Sequence, residues 1–177
     1  MIDVRPERPE DQRAVAAVVL DAFAAQGPQV VAFVDALRRS QNYVPELGLV
    51  AVDDSGVVGY VMVSWVPLEG SARDRILNLT PLAVRSDRQR TGIGARLVGS
   101  VLALAEEAGE PAVVVEGVAA YYPRFGFERA SALGFRPPHD GIPDAAFMVK
   151  RLAAWDPAVA GRVVYPPAFD VLDAEPH

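Results

Sequence analysis

The sequence contains no cysteine and only two histidines, His139 and His177. The first absence excludes a disulfide framework, a thiolate nucleophile and a thiolate zinc site, and two imidazoles are too few for a histidine metal cluster. No metal is expected. Basic residues are also in deficit, with 17 Lys and Arg against 23 Asp and Glu, a formal charge of -6 at pH 7. A polyphosphate backbone held by bulk electrostatics is therefore not expected, which removes nucleic acid as a partner. The opening Met1-Ile2-Asp3-Val4-Arg5-Pro6-Glu7 has no basic segment leading into an apolar one, and no uninterrupted apolar stretch reaches bilayer length. The expectation is a cytoplasmic protein without a membrane partner. Internal repeats and low-complexity tracts are lacking too.

What remains is a chain of 177 residues, 51% of them hydrophobic, enough for one sizeable core. Prolines and turn residues gather after Leu152, which divides the sequence into a domain over 1–152 and an extension over 153–177. The extension holds Trp155, Val163, Val164, Tyr165, Phe169, Val171 and Leu172, too apolar for a free linker. It is expected to dock on its own domain or on the partner in a homodimer. Arg162-Val163-Val164-Tyr165, closed by Pro166-Pro167, has the character of an edge strand. His177, at the frayed end, is expected to be inert.

Hydrophobic spacing predicts a strand over Ile2–Arg5, a helix over Pro9–Ala25 and a second helix over Gln29–Arg39 that starts at Gly27-Pro28. Two β-branched runs, Leu47–Val52 and Val57–Val66, flank Asp53-Asp54-Ser55-Gly56 and read as a hairpin. A strand over Arg75–Val84 then leads through a polar loop into a helix from Gly92 to about Ala108, with Ile93, Leu97, Val101, Leu104 and Ala108 on one face. Gly109-Glu110-Pro111 ends that helix before the buried strand Ala112–Glu116. Strand, helix and strand in that order imply a parallel crossover.

The loop opening the long helix carries the strongest chemical signal. In Gln89-Arg90-Thr91-Gly92-Ile93-Gly94-Ala95, two glycines allow close backbone approach, and the first helical amides have no intrahelical acceptor. Such a terminus favours a phosphate, and Arg88 and Arg90 supply full positive charge nearby. No Gly-Lys-Ser/Thr follows, so this is not a nucleotide P-loop, and the third glycine of a dinucleotide fingerprint is missing. Taken alone, the glycines read equally well as an ordinary tight turn.

With the preceding Leu79-Thr80-Pro81-Leu82-Ala83-Val84, the loop resembles the acetyl-CoA pyrophosphate loop of the GNAT N-acetyltransferases, Gln/Arg-x-x-Gly-x-Gly/Ala. About 30 residues on, Tyr121-Tyr122-Pro123-Arg124-Phe125-Gly126-Phe127 is similar to the family's Phe/Tyr-Tyr-x-x-x-Gly-Phe. The likeness spans roughly residues 2–152, closing on Ala146–Leu152 as the last strand. It is greatest to a poorly characterised bacterial branch of predicted acetyltransferases with Tyr-Tyr-x-Arg-Phe-Gly-Phe after the loop.

The resemblance implies an α/β (α+β) GNAT fold, a mixed and mostly antiparallel twisted sheet with flanking helices, splayed between two central parallel strands that end near Val84 and Glu116. It implies acetyl-CoA as co-substrate. Backbone groups of Leu82, Ala83 and Val84 would pair with the pantetheine arm, the Leu82 amide would face the thioester carbonyl, and Gln89 to Ala95 would hold the pyrophosphate. The implied activity is transfer of the acetyl group to a primary amine, on a small molecule or a peptide. A non-catalytic acetyl-CoA-binding sensor or interaction module is the alternative.

Direct transfer needs a neutral amine, a stabilised oxyanion and a proton for the departing thiolate. Tyr122 stands where many relatives place a phenol beside the sulfur, and is the candidate general acid. Tyr121, Phe125 and Phe127 read as aromatic core. No histidine stands before the loop, where Asn78 and Thr80 occur instead. The base is therefore Glu116, at the end of an apolar run, or a water chain ordered by Asn78 and Thr80. Glu69, His139 and Asp140 fall in loops on the acceptor side and read as solvated polar residues. Trp65, Val66, Pro67 and Leu68, with the second helix, are expected to line the acceptor groove.

Overall fold

A computed structural model describes residues 1–174, so His177 lies outside the described chain. Eight strands form: β1 (Asp3–Pro6), β2 (Tyr43–Asp53), β3 (Gly56–Glu69), β4 (Arg75–Val84), β5 (Ala112–Glu116), β6 (Glu128–Arg129), β7 (Phe147–Arg151) and β8 (Arg162–Val163). Three α-helices accompany them, α1 (Gln12–Phe23), α2 (Gly27–Arg38) and α3 (Ile93–Glu107). The strands run in the order β1-β2-β3-β4-β5-β7-β6, with β8 added to the end of β3. Every pairing is antiparallel except β4 with β5, as a right-handed crossover through α3 requires.

The stretch Pro9–Arg38 is apolar enough in composition to cross a bilayer. It is broken at Ala24, whose φ of 49° ends α1, and α1 and α2 fold back on each other with Val15, Val18, Val19, Phe33 and Leu37 buried. At 12 residues apiece, the two helices are each shorter than the roughly 20 residues a span needs. Glu7 and Arg38 form an ion pair at one end of α2, and the Tyr60 hydroxyl donates to Glu7 Oε2 at 3.2 Å.

The sheet separates two cores. One, under α1 and α2, takes Tyr60, Met62, Val66, Ile76, Ala83 and Val114. The other, under α3, takes Val61, Val63, Leu77, Leu79, Leu97, Val113 and Val115. Period-two alternation carries this division along the strands, interrupted by register shifts in β2 between Tyr43 and Gly48, in β3 near Val57 and Gly59, and in β4 across Thr80 and Pro81. Val63 pairs with Leu79 and Val61 with Leu82, so β4 has one more residue than β3 across Thr80 and Pro81. That bulge inverts the parity: odd-numbered Leu77 and Leu79 face α3 before it, and even-numbered Leu82 and Val84 do so after it.

Residues 153–174 lie against the sheet and α2. Val164 N–H donates to Pro67 O at 3.0 Å, and Arg136 and Gly161 join through Arg136 N–H at 2.9 Å. The Phe169 ring meets Phe33 edge-on at 4.8 Å and stacks on Tyr165 at 4.2 Å. Gln29 Nε2 donates to Ala174 O at 2.8 Å.

Candidate functional site

β4 and β5 are paired only at Leu77 with Val113 and Asn78 with Val114. Beyond that point β4 runs six residues further without a partner on this edge, and the strands diverge into an open fork. Arg85 N–H donates to Val58 O at 2.8 Å, which fixes the hydrogen-bond phase of β4 against β3. By alternation Ala83 turns its N–H and C=O toward Tyr60, whereas Leu82 and Val84 turn theirs into the fork. Gln89 Nε2 donates to Val84 O at 3.0 Å from that side. The expected role of Ala83 is thus corrected: its backbone groups belong to the ladder with β3, and Leu82 and Val84 are left to meet a ligand.

The fork opens on the α3 face into a cleft of about 690 Å³ lined by Leu82, Val84, Gln89, Arg90, Gly92, Gly94, Ala95, Val118, Tyr121, Tyr122 and Arg124. Gly92, with φ of 88°, caps α3 without any side-chain hydrogen bond, and the first i to i+4 bond is Arg96 N–H to Gly92 O. The amides of Ile93, Gly94 and Ala95 consequently have no intrahelical acceptor. The Ile93 side chain is buried beneath the loop, so its contribution to the cleft is limited to its backbone. Thr91 Oγ1 donates to Arg88 O at 2.6 Å and closes the loop on itself.

Arg90 sits at φ of 62°, a left-handed conformation unusual for a residue with a Cβ, and lines the cleft without a salt bridge among the described residues. Arg88 behaves differently from the expectation. Its guanidinium pairs with Asp53 at 3.0 Å and Asp87 at 2.8 Å, away from the cleft. Ser55 and Arg88 together hold the Asp53 carboxyl down to about 2. The second cation of the cleft is instead Arg124, whose guanidinium lies 4.5 Å over the Tyr121 ring with Nε donating to Tyr121 O. Sequence reasoning quoted Arg124 inside the aromatic motif without giving it a role. A basic residue set among the aromatics after a fork strand was the available signal.

Tyr122 opens a single 3-10 turn over Tyr122–Phe125, and Tyr121 caps it. Tyr122 is 8% exposed, with its ring edge-on to Tyr121 at 5.2 Å and to Phe127 at 5.5 Å. Its hydroxyl has no hydrogen-bond partner among the described residues. Burial, and secondarily the neighbouring Tyr121, push the phenol above its ordinary value, so it stays protonated and able to donate. Gly117 forms the bed of this ring: a Cβ there would come 2.4 Å from Tyr122 Cε2. Tyr121, expected as core, borders the cleft, and its hydroxyl lies 2.7 Å from where a Gly94 Cβ would stand.

On the opposite face of the sheet lies a second cleft, of about 440 Å³, lined by Asn78, Thr80, Glu116, Gly117, Val118, Ala146, Tyr165, Phe169 and Leu172. Parity explains the company, because Asn78 and Glu116 lie on the same face as Ile76 and Val114. Val118 borders both clefts, beside the divergence of β4 and β5. The Tyr165 hydroxyl donates to Glu116 Oε2 at 2.8 Å, and burial first and Glu116 second raise that phenol. Trp65 and Leu68 are absent from this cleft. Trp65 is on the α3 face under the Arg75 guanidinium at 4.0 Å, while Val66 and Leu68 are buried in the other core. The α2 residues Gln29, Val30 and Phe33 do line a smaller adjoining cleft with Thr80, Pro81 and Leu172. Glu69 and His139 border a fourth cleft, and Asp140 is exposed beside it.

Residues 45–129 match the family model of the acetyltransferase (GNAT) domain. The crystal structure of the GNAT N-acetyltransferase YhbS from Escherichia coli, in complex with CoA, superposes with a TM-score of 0.85 at 34% identity, covering 96% of this chain and 92% of that one. The chain belongs to the GNAT acetyltransferase family. A GNAT acetyltransferase from Brucella melitensis in complex with acetyl-CoA superposes with a TM-score of 0.77 at 31% identity, over 96% of this chain and 99% of that one. In sequence, YhbS of E. coli K12, described as an uncharacterized N-acetyltransferase, is 42% identical over 108 residues, 60% of this chain. That match spans 64% of YhbS. The mixed sheet, the parallel β4-β5 pair and the flanking helices are those of the GNAT fold.

Proposed function

We propose that this GNAT protein transfers the acetyl group of acetyl-CoA to a primary amine by direct attack on the thioester. The observation that carries this reading is the fork, which joins a cleft lined by open helix amides to a second cleft holding a carboxylate. Acetyl-CoA enters from the α3 face. Its pyrophosphate accepts from the amides of Ile93, Gly94 and Ala95, with Gln89, Thr91 and Gly92 shaping the loop and Arg90 and Arg124 supplying charge. The pantetheine arm pairs with the free groups of Leu82 and Val84 as an added strand.

The amine arrives from the opposite face as an ammonium and gives a proton to Glu116, directly or through water held by Asn78 and Thr80. Its nitrogen lone pair attacks the thioester carbon, and the C–N bond forms as the carbonyl becomes an oxyanion facing the Leu82 N–H. Collapse breaks the C–S bond. The thiolate takes the Tyr122 hydroxyl proton, Glu116 passes its first proton to solvent and then takes the second from the new amide, and solvent reprotonates Tyr122. The extension from Ala153 contributes Tyr165, Phe169 and Leu172 to the acceptor side, and we assign it that role.

The test is free thiol release from acetyl-CoA across a panel of primary amines, with product identified by mass. Amine-dependent release at a rate above hydrolysis is the expected result. Tight acetyl-CoA binding without release on any amine would instead identify a non-catalytic binding module.

A further inference from the structure

Glu116 is the last residue of β5, and its backbone is fixed by pairing with Phe147 on β7, while the next amide, Gly117 N–H, donates to Ala146 O at 2.9 Å. Its side chain has no such support from its own strand. It is exposed, and among the described residues it forms no salt bridge. A long carboxylate so placed samples several rotamers, whereas a proton acceptor must stand within hydrogen-bond reach of the amine it serves.

The missing direction comes from the extension. The Tyr165 hydroxyl donates to Glu116 Oε2 at 2.8 Å across 49 residues of chain, and both residues line the acceptor cleft. Tyr165 is itself held by the domain. Just before it, Val163 pairs with Leu68 at the end of β3, and Val164 N–H donates to Pro67 O at 3.0 Å. Its ring stacks on Phe169 at 4.2 Å with 18° between the planes, and Phe169 is wedged edge-on against Phe33 of α2 at 4.8 Å. The place of the phenol is thus set by β3 and α2 and passed to Glu116 through one hydrogen bond. A neutral donor suits a base. A guanidinium there would favour the ionised carboxylate strongly and make it a poorer proton acceptor, while a phenol orients it with a weaker pull. Burial first, and Glu116 second, raise the Tyr165 phenol, so it stays a donor.

We infer that Tyr165 is a positioning residue for acetyl transfer: its hydroxyl holds the Glu116 carboxylate in the acceptor cleft by Oε2 and leaves Oε1 for the proton of the amine. This rests on the amine-acetylating reading above, with Glu116 as base. The match to the GNAT domain model ends at residue 129, and Tyr165 lies beyond it, so the extension directs a base that the domain alone supplies without direction.

The experiment measures steady-state thiol release from acetyl-CoA by the full chain, with a panel of primary amines, for the native protein, Tyr165→Phe, Glu116→Gln and the double variant. Phenylalanine keeps the ring and its stack, so the melting transition and the calorimetric acetyl-CoA affinity of Tyr165→Phe are expected to be native. Its kcat is expected to fall at least about tenfold with the KM for the amine little changed, because the carboxylate is released from one geometry. In the Glu116→Gln background the same substitution should cost nothing further, since no base is left to place. A merely structural role would add its loss in both backgrounds. Crystal structures give a readout independent of turnover: Glu116 in one rotamer in the native protein and in several in Tyr165→Phe. Native kcat in Tyr165→Phe, equal losses in the two backgrounds, or an unchanged Glu116 rotamer in Tyr165→Phe overturns the inference. A native protein that releases no thiol with any amine refutes transfer, and native release by Glu116→Gln refutes the base; either takes the inference with it. Release that responds to Glu116→Gln and not to Tyr165→Phe overturns the positioning alone.

Discussion

Gly117 is the position where the geometry makes the sharpest demand. It is not a turn glycine, since its backbone conformation is open to any residue, and what it provides is space. An alanine Cβ would stand 2.4 Å from Cε2, 2.9 Å from Cδ2 and 3.4 Å from Cζ of Tyr122. Ordinary contact begins near 3.4 Å, so ring and backbone must separate by about 1 Å. The ring has little room to retreat, with Phe127 5.5 Å behind it and Tyr121 5.2 Å to one side. Overpacking of this kind costs about 1–3 kcal/mol of stability. A reacting group displaced by about 1 Å loses on the order of 10² in rate.

Gly117→Ala is therefore expected to lower turnover about 10²-fold with acetyl-CoA affinity little changed. Tyr122→Phe, which removes only the donor, is expected to lower turnover about 10² to 10⁴-fold. The two substitutions should not add. If Gly117 acts by placing the phenol, Gly117→Ala has nothing further to displace once the hydroxyl is gone. Thiol release under single turnover with a confirmed amine, beside calorimetric acetyl-CoA binding, measures all four proteins. Because the Tyr122 phenol is raised above the ordinary value near 10, it remains a donor as pH rises to that point and adds no alkaline limb below it. Wild-type turnover in Tyr122→Phe, or full additivity of the two losses, refutes the assignment.

Gly94→Trp should fill the cleft at the start of α3, push aside the Tyr121 hydroxyl that lies 2.7 Å from its Cβ position, and weaken acetyl-CoA binding at least about tenfold; unchanged affinity would remove the pyrophosphate from this loop. Phe169→Ala empties the space between Tyr165 and Phe33 and should cost about 3–5 kcal/mol in urea unfolding, raising the KM for the amine more than that for acetyl-CoA. A chain ending after Leu152 should lose stability and the amine site together, and one that kept both would leave the extension without a role in either.

Local chemistry determined what was readable. β4 and β5 have in the structure the ends expected from sequence, because each is a mainly apolar run bounded by polar residues, glycine or proline. The loop from Gln89 to Ala95 was legible since its glycines and the helix start are neighbours in the chain. Ala83 was misread for a different reason. Sequence assigns three consecutive residues to one edge, whereas hydrogen-bond phase allows only alternate ones, and the phase is set by the pairing of β4 with β3. Arg88 was misread similarly, because its partner Asp53 lies across the hairpin turn.

The Thr80-Pro81 bulge has a consequence that no linear pattern carries. Without the extra residue, period-two alternation would turn Leu82 and Val84 into the α1 and α2 core, and the α3 cleft would lose its strand wall. With it, the strand presents Asn78 to one face before the bulge and Leu82 and Val84 to the other after it, within seven residues. β5 needs no bulge, since its single passage ends with Glu116 on the face of Asn78 and the chain then crosses beneath Tyr122 through Gly117. The proposed acid and base are thus kept on opposite sides of the sheet. In that arrangement the amine loses its proton on one face and the thiolate gains one on the other, so the two transfers do not compete for the same proton. Removing the carboxylate alone by Glu116→Gln, which leaves Gly117 and the bed of the Tyr122 ring intact, should lower amine-dependent thiol release while acetyl-CoA still binds, and unchanged release would refute the assignment of the base to that face.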